Sequence, residues 1–284
     1  MDYKFAIIGK SFEARKNYVH ALVDESALLR EKSCSQLRSL LLEEKNLRTS
    51  TDDIFLLRFL RATKFNVSKA HSMILKYYAV KQRSPEMCVP PRPSEVIHLL
   101  RMGMQSFLED RTRAGYRVGI FRLDKVDFSL IGLDEIFLTN VMCAEAVSLE
   151  PETQKTGVVC IIDLNEFSLH QHTCLFSPHY SSRTFELVQG AFPLRFKEFH
   201  VINEPFYFGA FYSLLKPFLK EKIRKRVFFH GHNLKSLHKY VDPMILPKEY
   251  GGVKEELDDT AWREKLLELD DWFAELKTYG FDKS

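Results

Sequence analysis

VVCIIDL, Val158 to Leu164, is a continuous apolar run rich in β-branched residues. A run of that kind reads as a strand buried on both faces, the habit of parallel sheets whose crossovers cover both sides. Working outward, GYRVGIFRLD (Gly115 to Asp124) reads as a strand before it, and FHVIN (Phe199 to Asn203) and VFFHG (Val227 to Gly231) as strands after it. Helical stretches separate them: about 133–154, 177–190 and 206–226. Strands alternating with helices of this length predict right-handed βαβ crossovers and a mainly parallel α/β sheet.

The chain upstream has a different character. Residues 11–48 are charged, with scattered leucines from Leu22 to Leu41, and read as one or two surface helices. Thr51-Asp52-Asp53 predicts the cap of an apolar helix from Ile54 to Phe65, and Asn66 or Ser68 the cap of the next. In that second helix Ala70, Met73, Ile74, Tyr77 and Tyr78 fall on one face. Pro85, Pro90, Pro91 and Pro93 then mark a boundary. The expected organisation is a helical domain over 1–93, an α/β domain over 94–253 and a C-terminal amphipathic helix within 254–284.

Composition narrows the classes. The chain has 284 residues, 45% hydrophobic and 28% charged, the balance of a globular protein. No apolar run approaches the roughly 18 residues a transmembrane helix needs. Met1 to Lys10 is interrupted by Asp2 and Lys4, so it does not read as a secretory signal. The five cysteines are odd in number and form no CxxC pair, which argues against a zinc ribbon and fits a reducing compartment. A cytoplasmic protein is the expectation.

Known catalytic chemistries find little support. The turn Asp124-Lys125-Val126-Asp127 after the first strand lacks the glycines a dinucleotide fold needs. No P-loop, GxSxG elbow or C-x5-R loop is present. His170, His172, Cys174 and His179, in an expected loop, could chelate a metal or simply face solvent. Asp163 and Glu166 follow the buried strand and have no nucleophile beside them.

Phe206 to Leu219, FYFGAFYSLLKPFL, is apolar nearly all round and interrupted by Gly209 and Pro217. A helix of that kind is either a buried crossover or a cover facing both a cavity and something apolar outside. KEKIRKR (Lys220 to Arg226) follows at once, the layout of a membrane-surface element. From Arg183 to Tyr240 there are 11 Lys and Arg against 4 Asp and Glu, a net of +7; Val241 to Ser284 has 6 against 12, a net of −6. Such a block is either a solvated face or a site for an anion. Lys222 and Arg226 share a helix face, and Arg195 and Lys197 alternate in an extended segment, so two cationic pairs can converge on one phosphorylated headgroup. No interleaved aromatic and basic platform favours nucleic acid. The 23 phenylalanines, against 2 tryptophans, exceed what a core requires and predict an apolar lining.

Five blocks occur in order: FLLRFLRATKF (Phe55 to Phe65), IIDL (Ile161 to Leu164), FPLRFKEFHVINEP (Phe192 to Pro205), KPFLKEKIRKRVFFHG (Lys216 to Gly231) and LPKEYGG (Leu246 to Gly252). Together they resemble the CRAL-TRIO lipid-transfer family, in its tocopherol- and retinaldehyde-binding branch, over about residues 50–253. The resemblance implies a helical domain followed by an α/β domain with a pocket for one hydrophobic lipid, a helical lid over about 204–217, and transfer without catalysis, cofactor or metal. By position it implies pocket walls at Phe137, Asn140, Ala144, Val158, Cys160, Leu187, Val188, Phe192 and Phe199, and lid residues Phe206, Phe208, Phe211 and Leu215. It also implies a phosphoinositide cleft at Arg195, Lys197, Lys222 and Arg226, with transient membrane binding by a monomer. Where the family's RFLRAR segment ends in a basic residue this chain has Thr63, followed by Lys64; Arg58 and Arg61 remain. The loop 167–177 also departs from the pattern, by one added residue. The readings left beside it are a phosphoinositide-binding adaptor without cargo and a metal-dependent hydrolase.

Overall fold

The structure is a computed structural model and describes residues 25–126, 128, 130–166, 168–175 and 177–282. The reading of Met1 to Lys10, and of Leu22, lies outside these residues. Three helices open the described chain: α1 (Ala27–Glu43), α2 (Asp53–Ala62) and α3 (Val67–Arg83). Asp52 caps α2 by accepting from the Phe55 amide at 2.8 Å, and Asn66 caps α3 by accepting from the Lys69 amide at 2.9 Å. Leu37 and Leu41 of α1 are buried, so this helix packs into the fold rather than lying loose on its surface.

The main sheet has five strands in the order β2-β3-β4-β5-β6. They are β2 (Gln105–Arg111), β3 (Arg117–Arg122), β4 (Val158–Asp163), β5 (Phe196–Ile202) and β6 (Val227–Phe229). β3 to β6 run parallel, and β2 joins the edge antiparallel to β3. The sequence reading found the four parallel strands and missed β2. QSFLEDR carries charge at its exposed end, as edge strands do, and gives no long apolar run.

The helices are shorter than the sequence predicts. Pro151 starts a new helix, splitting 133–154 into α4 (Leu133–Ser148) and α5 (Pro151–Thr156). The expected loop around His170 is α6 (Leu169–Leu175). Ser168 caps it reciprocally: its hydroxyl accepts from the Gln171 amide, and the Gln171 side chain accepts from the Ser168 amide. α7 (Pro178–Glu186) follows, then a wide turn over 187–191. The 206–226 stretch breaks at Pro217 into α8 (Phe208–Leu215) and α9 (Glu221–Arg224).

The C-terminal tail is two helices instead of one, α10 (Thr260–Leu267) and α11 (Asp270–Leu276). Asp270 accepts from both the amide and hydroxyl of Ser94, which pins the break between them. Beyond α11, β7 (Gly280–Phe281) pairs antiparallel with β1 (Leu47–Arg48). The tail therefore closes against the helical region.

A buried ion cluster joins the helical region to the α/β domain. The Glu145 carboxylate of α4 is fully sequestered and accepts from Arg58 of α2 and from Tyr77 and Lys81 of α3, the last at 3.2 Å. Burial raises its carboxyl, but Lys81 and Arg58 outweigh that and hold it below the ordinary value. The Arg58 guanidinium lies 5.6 to 5.8 Å from the ring centres of Phe55, Phe59 and Trp272. Removing one partner of such a cluster strands the others without water. Glu145→Ala is expected to cost about 3–5 kcal/mol of stability, read by denaturant unfolding, whereas removal of the exposed Arg38–Asp53 pair should cost under about 1 kcal/mol.

Candidate functional site: an apolar chamber beside a cationic cleft

The two faces of the sheet are used differently. Val118, Ile120, Val159, Ile161 and Ile202 pack solidly against Leu237, Val241, Leu246 and Tyr250. The alternate residues Phe121, Cys160, Ile162, Leu164, Phe199 and Val201 floor a cavity of about 300 Å³. VVCIIDL is thus buried on both faces, but on one of them it borders a cavity.

Of the residues expected in a pocket, Phe137, Asn140 and Ala144 of α4, Cys160, Phe199, and Leu187, Val188 and Phe192 after α7 all line the cavity. Val158 does not. It shares the facing of Cys160 but sits at the closed end of the strand, within solid core. There Gly157, at φ 106°, lets β4 abut β5; a Cβ on it would stand 2.4 Å from the Arg195 carbonyl oxygen. Met104, Gln105, Ile136, Leu175, Thr184 and Ile223 also line the wall and were not anticipated. Ile162 and Leu164 could have been found from the two-residue period of the strand. Among the described residues the lining contains no Asp, Glu, Lys, Arg or His.

α8 lies across the chamber. Phe208, Tyr212 and Leu215, at i, i+4 and i+7, face the cavity, and Leu219 continues the wall. Phe206 and Phe211 do not line it. Phe206 is 100% exposed, Leu214 71% exposed, and Phe218 is exposed as well. Phe211 instead meets Tyr207, with ring centres 6.1 Å apart. The segment is hydrogen-bonded at both ends. Before it, Asn203 donates to Asp163 at 2.8 Å, and the Glu204 carboxylate accepts from the Gly231 amide at 2.8 Å. After it, the Gln189 side chain donates to the Phe218 carbonyl at 3.0 Å and accepts from the Lys220 amide at 2.5 Å.

Arg195, Lys197, Lys222 and Arg226 are brought together. Burial, then the charges of Arg195, Arg226, Lys64 and Lys222, push the Lys197 ammonium down to about 8. Lys222 is lowered by burial and then by Arg226, Lys64, Arg195 and Lys220. Among the described residues no carboxylate lies within ion-pair distance of these four or of Lys64. Arg195 is partly engaged already: it donates to the carbonyls of Arg61 and Lys155, at the ends of α2 and α5. Arg226 donates to the Phe196 carbonyl.

Lys64 is the cation that the sequence reading set aside. Lys64 and Phe65 both have left-handed backbone, φ 55° and 59°, just past the end of α2. That turn directs the charge of Lys64 into the cleft, although Thr63 stands where the family pattern is basic. Arg58 and Arg61 are elsewhere, buried against Glu145 and Glu25.

The alternative catalytic groups are otherwise occupied. Asp163 accepts from Asn203 and from the Asn165 amide at 3.0 Å, and burial raises its carboxyl. His170 meets Cys174 at 3.8 Å, and His179 meets Arg183 at 2.9 Å; the His172 side chain is outside the described part. Among the described residues no group of three His, Cys, Asp or Glu is placed to hold a metal, and no helix is long and apolar enough to cross a membrane.

A sheet flooring a chamber whose described lining is uncharged and mostly apolar, with helices closing it, defines a container for an apolar molecule. Residues 101–252 match the CRAL/TRIO domain and residues 24–76 the CRAL/TRIO N-terminal domain. The chain belongs to the CRAL/TRIO family, whose members of this kind are lipid-binding transfer proteins and not enzymes. It is 37% identical over 232 residues to an alpha-tocopherol transfer protein-like protein of Homo sapiens, covering 82% of this chain and 68% of that one. It is 36% identical over 220 residues to clavesin-2 of Mus musculus, covering 77% and 67%. The fold is also that of the solved structure of Sfh5, with a TM-score of 0.56 at 14% identity, over 89% of this chain and 100% of Sfh5.

Two outcomes follow from this geometry. Lys197, with its value near 8, is mostly charged at pH 7 and mostly neutral at pH 9, so a polyanion offered to the cleft, with inositol hexakisphosphate as the probe, is expected to be held less well as pH rises across that range. Titration calorimetry across that range should show the slope, and Lys197→Gln should flatten it. Gln189→Ala removes two hydrogen bonds of roughly 1 kcal/mol each; hydrogen exchange at Phe218 to Lys220 should quicken by about tenfold or more while the sheet amides keep their protection.

Proposed function

We propose that this protein carries one small hydrophobic lipid, of tocopherol, retinoid or other terpenoid type, between membranes, and that phosphoinositide binding promotes release. The observation that carries the reading is adjacency: the segment covering the chamber ends at Leu219, and the cationic run begins at once with Lys220 and Lys222. In this scheme 204–217 is the lid. A cargo burying roughly 400 Å² of apolar area would gain about 10 kcal/mol by area alone, reduced by ordering and desolvation. Release into water is correspondingly slow.

At an anionic surface two interactions favour an open lid. Phe206 and Leu214 are largely exposed and Phe218 about half so, and the headgroup region accepts such groups. The cleft gains from a multiply charged headgroup, each cation contributing about 1 kcal/mol near such a surface. Both act on the open state more than the closed one, as a population shift requires. The protein would be cytoplasmic and monomeric, visiting membranes transiently.

Lys222→Ala combined with Arg226→Ala is expected to leave equilibrium cargo binding within about twofold while transfer to phosphoinositide liposomes falls tenfold or more. Fluorescence transfer between donor and acceptor vesicles reads both. Equal loss of both would make these cations structural. Native mass spectrometry separates the adaptor reading: protein that never holds an apolar ligand but binds headgroups is an adaptor.

A further inference from the structure

The chamber wall carries the hydroxyls of Ser181, Thr184 and Tyr212 and, side by side, two amides whose mutual hydrogen bonds determine what they can still offer. Gln105 opens β2 and is 9% exposed; Asn140 sits in the middle of α4; both line the cavity. The Thr139 hydroxyl donates to the Ile136 carbonyl at 2.9 Å, so toward Gln105 its oxygen can only accept. Gln105 Nε2 accordingly donates to Thr139 Oγ1 at 3.1 Å, and its second hydrogen goes to Asn140 Oδ1 at 2.8 Å. Both amides are thereby oriented. Gln105 Oε1 is left as an acceptor and Asn140 Nδ2 as a donor, neither with a partner among the hydrogen bonds of the described residues. Neither is an atom sealed away from accessible space.

We infer that the cargo is a neutral lipid alcohol, its hydroxyl accepting from Asn140 Nδ2 and donating to Gln105 Oε1. This rests on the reading of the chamber as a cargo site and narrows it. A hydroxyl is the small neutral group that satisfies a donor and an acceptor side by side. A carbonyl or ether head would serve Asn140 and leave Gln105 Oε1 unpaired. A hydrocarbon leaves both unpaired. A carboxylate or phosphate would bring a charge to a wall that holds no cation among the described residues, and would set its oxygens against Gln105 Oε1. Sites built to bond a hydroxyl discriminate strongly against analogues without one, because their own polar groups are then left bare.

The test uses the full chain and four probes with one C20 isoprenoid skeleton: the alcohol, its methyl ether, the carboxylic acid and the hydrocarbon. Each is offered alone from neutral liposomes at pH 7, and uptake is read by native mass spectrometry. The alcohol is expected to be retained about tenfold or more over each of the others. In Gln105→Leu and in Asn140→Leu that preference should fall toward unity while the hydrocarbon gains. A wild-type preference near unity, or one that both variants preserve, overturns the inference and leaves the chamber reading standing. Uptake of none of the four overturns the chamber reading and the inference together. The wild-type ratio is decisive by itself should a variant fail to fold.

Discussion

A hollow next to a β-sheet has to be held open. Side chains around a cavity of about 300 Å³ lack protein neighbours on one side, so the walls depend on support from behind. α4 shows how collapse is resisted. Phe137, Asn140, Val141 and Ala144 face the chamber, while Glu145, one residue on, is bound from behind by Arg58, Tyr77 and Lys81. The ion cluster is an anchor on the outer side of a wall. The solid packing behind Val159 and Ile161 does the same for the sheet.

The helical region is therefore part of the container. Its helices α2 and α3 supply the cations that hold α4, and the tail closes over them through Trp272 and the β1–β7 pair. The Trp262 indole also reaches Cys143 on α4 at 3.5 Å. A carboxylate tied to two cations without water has little freedom to shift, so the anchor is stiff as well as strong.

The covering segment is held differently, by a few hydrogen bonds at its ends and by one apolar face. Gln189 stands at the junction of three features: its neighbours Leu187 and Val188 line the chamber, its side chain holds the backbone past Phe218, and its partner Lys220 begins the cationic run. Burial, and then repulsion between the cations, lowers Lys197 and Lys222, and no carboxylate among the described residues lies within ion-pair distance of them. Low-cost contacts on the cover and unrelieved charge beside it contrast with the rigid anchor on the opposite wall.

Much of this was legible along the chain. The apolar run 158–164, the strands around it, the caps Asp52 and Asn66, and the four cations Arg195, Lys197, Lys222 and Arg226 depend on local periodicity and spacing, which sequence carries directly. β2 was missed because an edge strand needs no long apolar run, and α6 because the Ser168–Gln171 capping box was read as loop. Val158 was misplaced because its facing matches that of Cys160, and only the close approach at Gly157 ends the chamber before it. Whether a phenylalanine borders a void or another side chain is set by how distant segments pack, and periodicity is the same in both cases. That the extra phenyl rings enclose a space, that Lys64 turns into the cleft while Arg58 turns away, and that Gln105 and Asn140 orient each other were all decided by tertiary structure, since each depends on partners far apart in the chain.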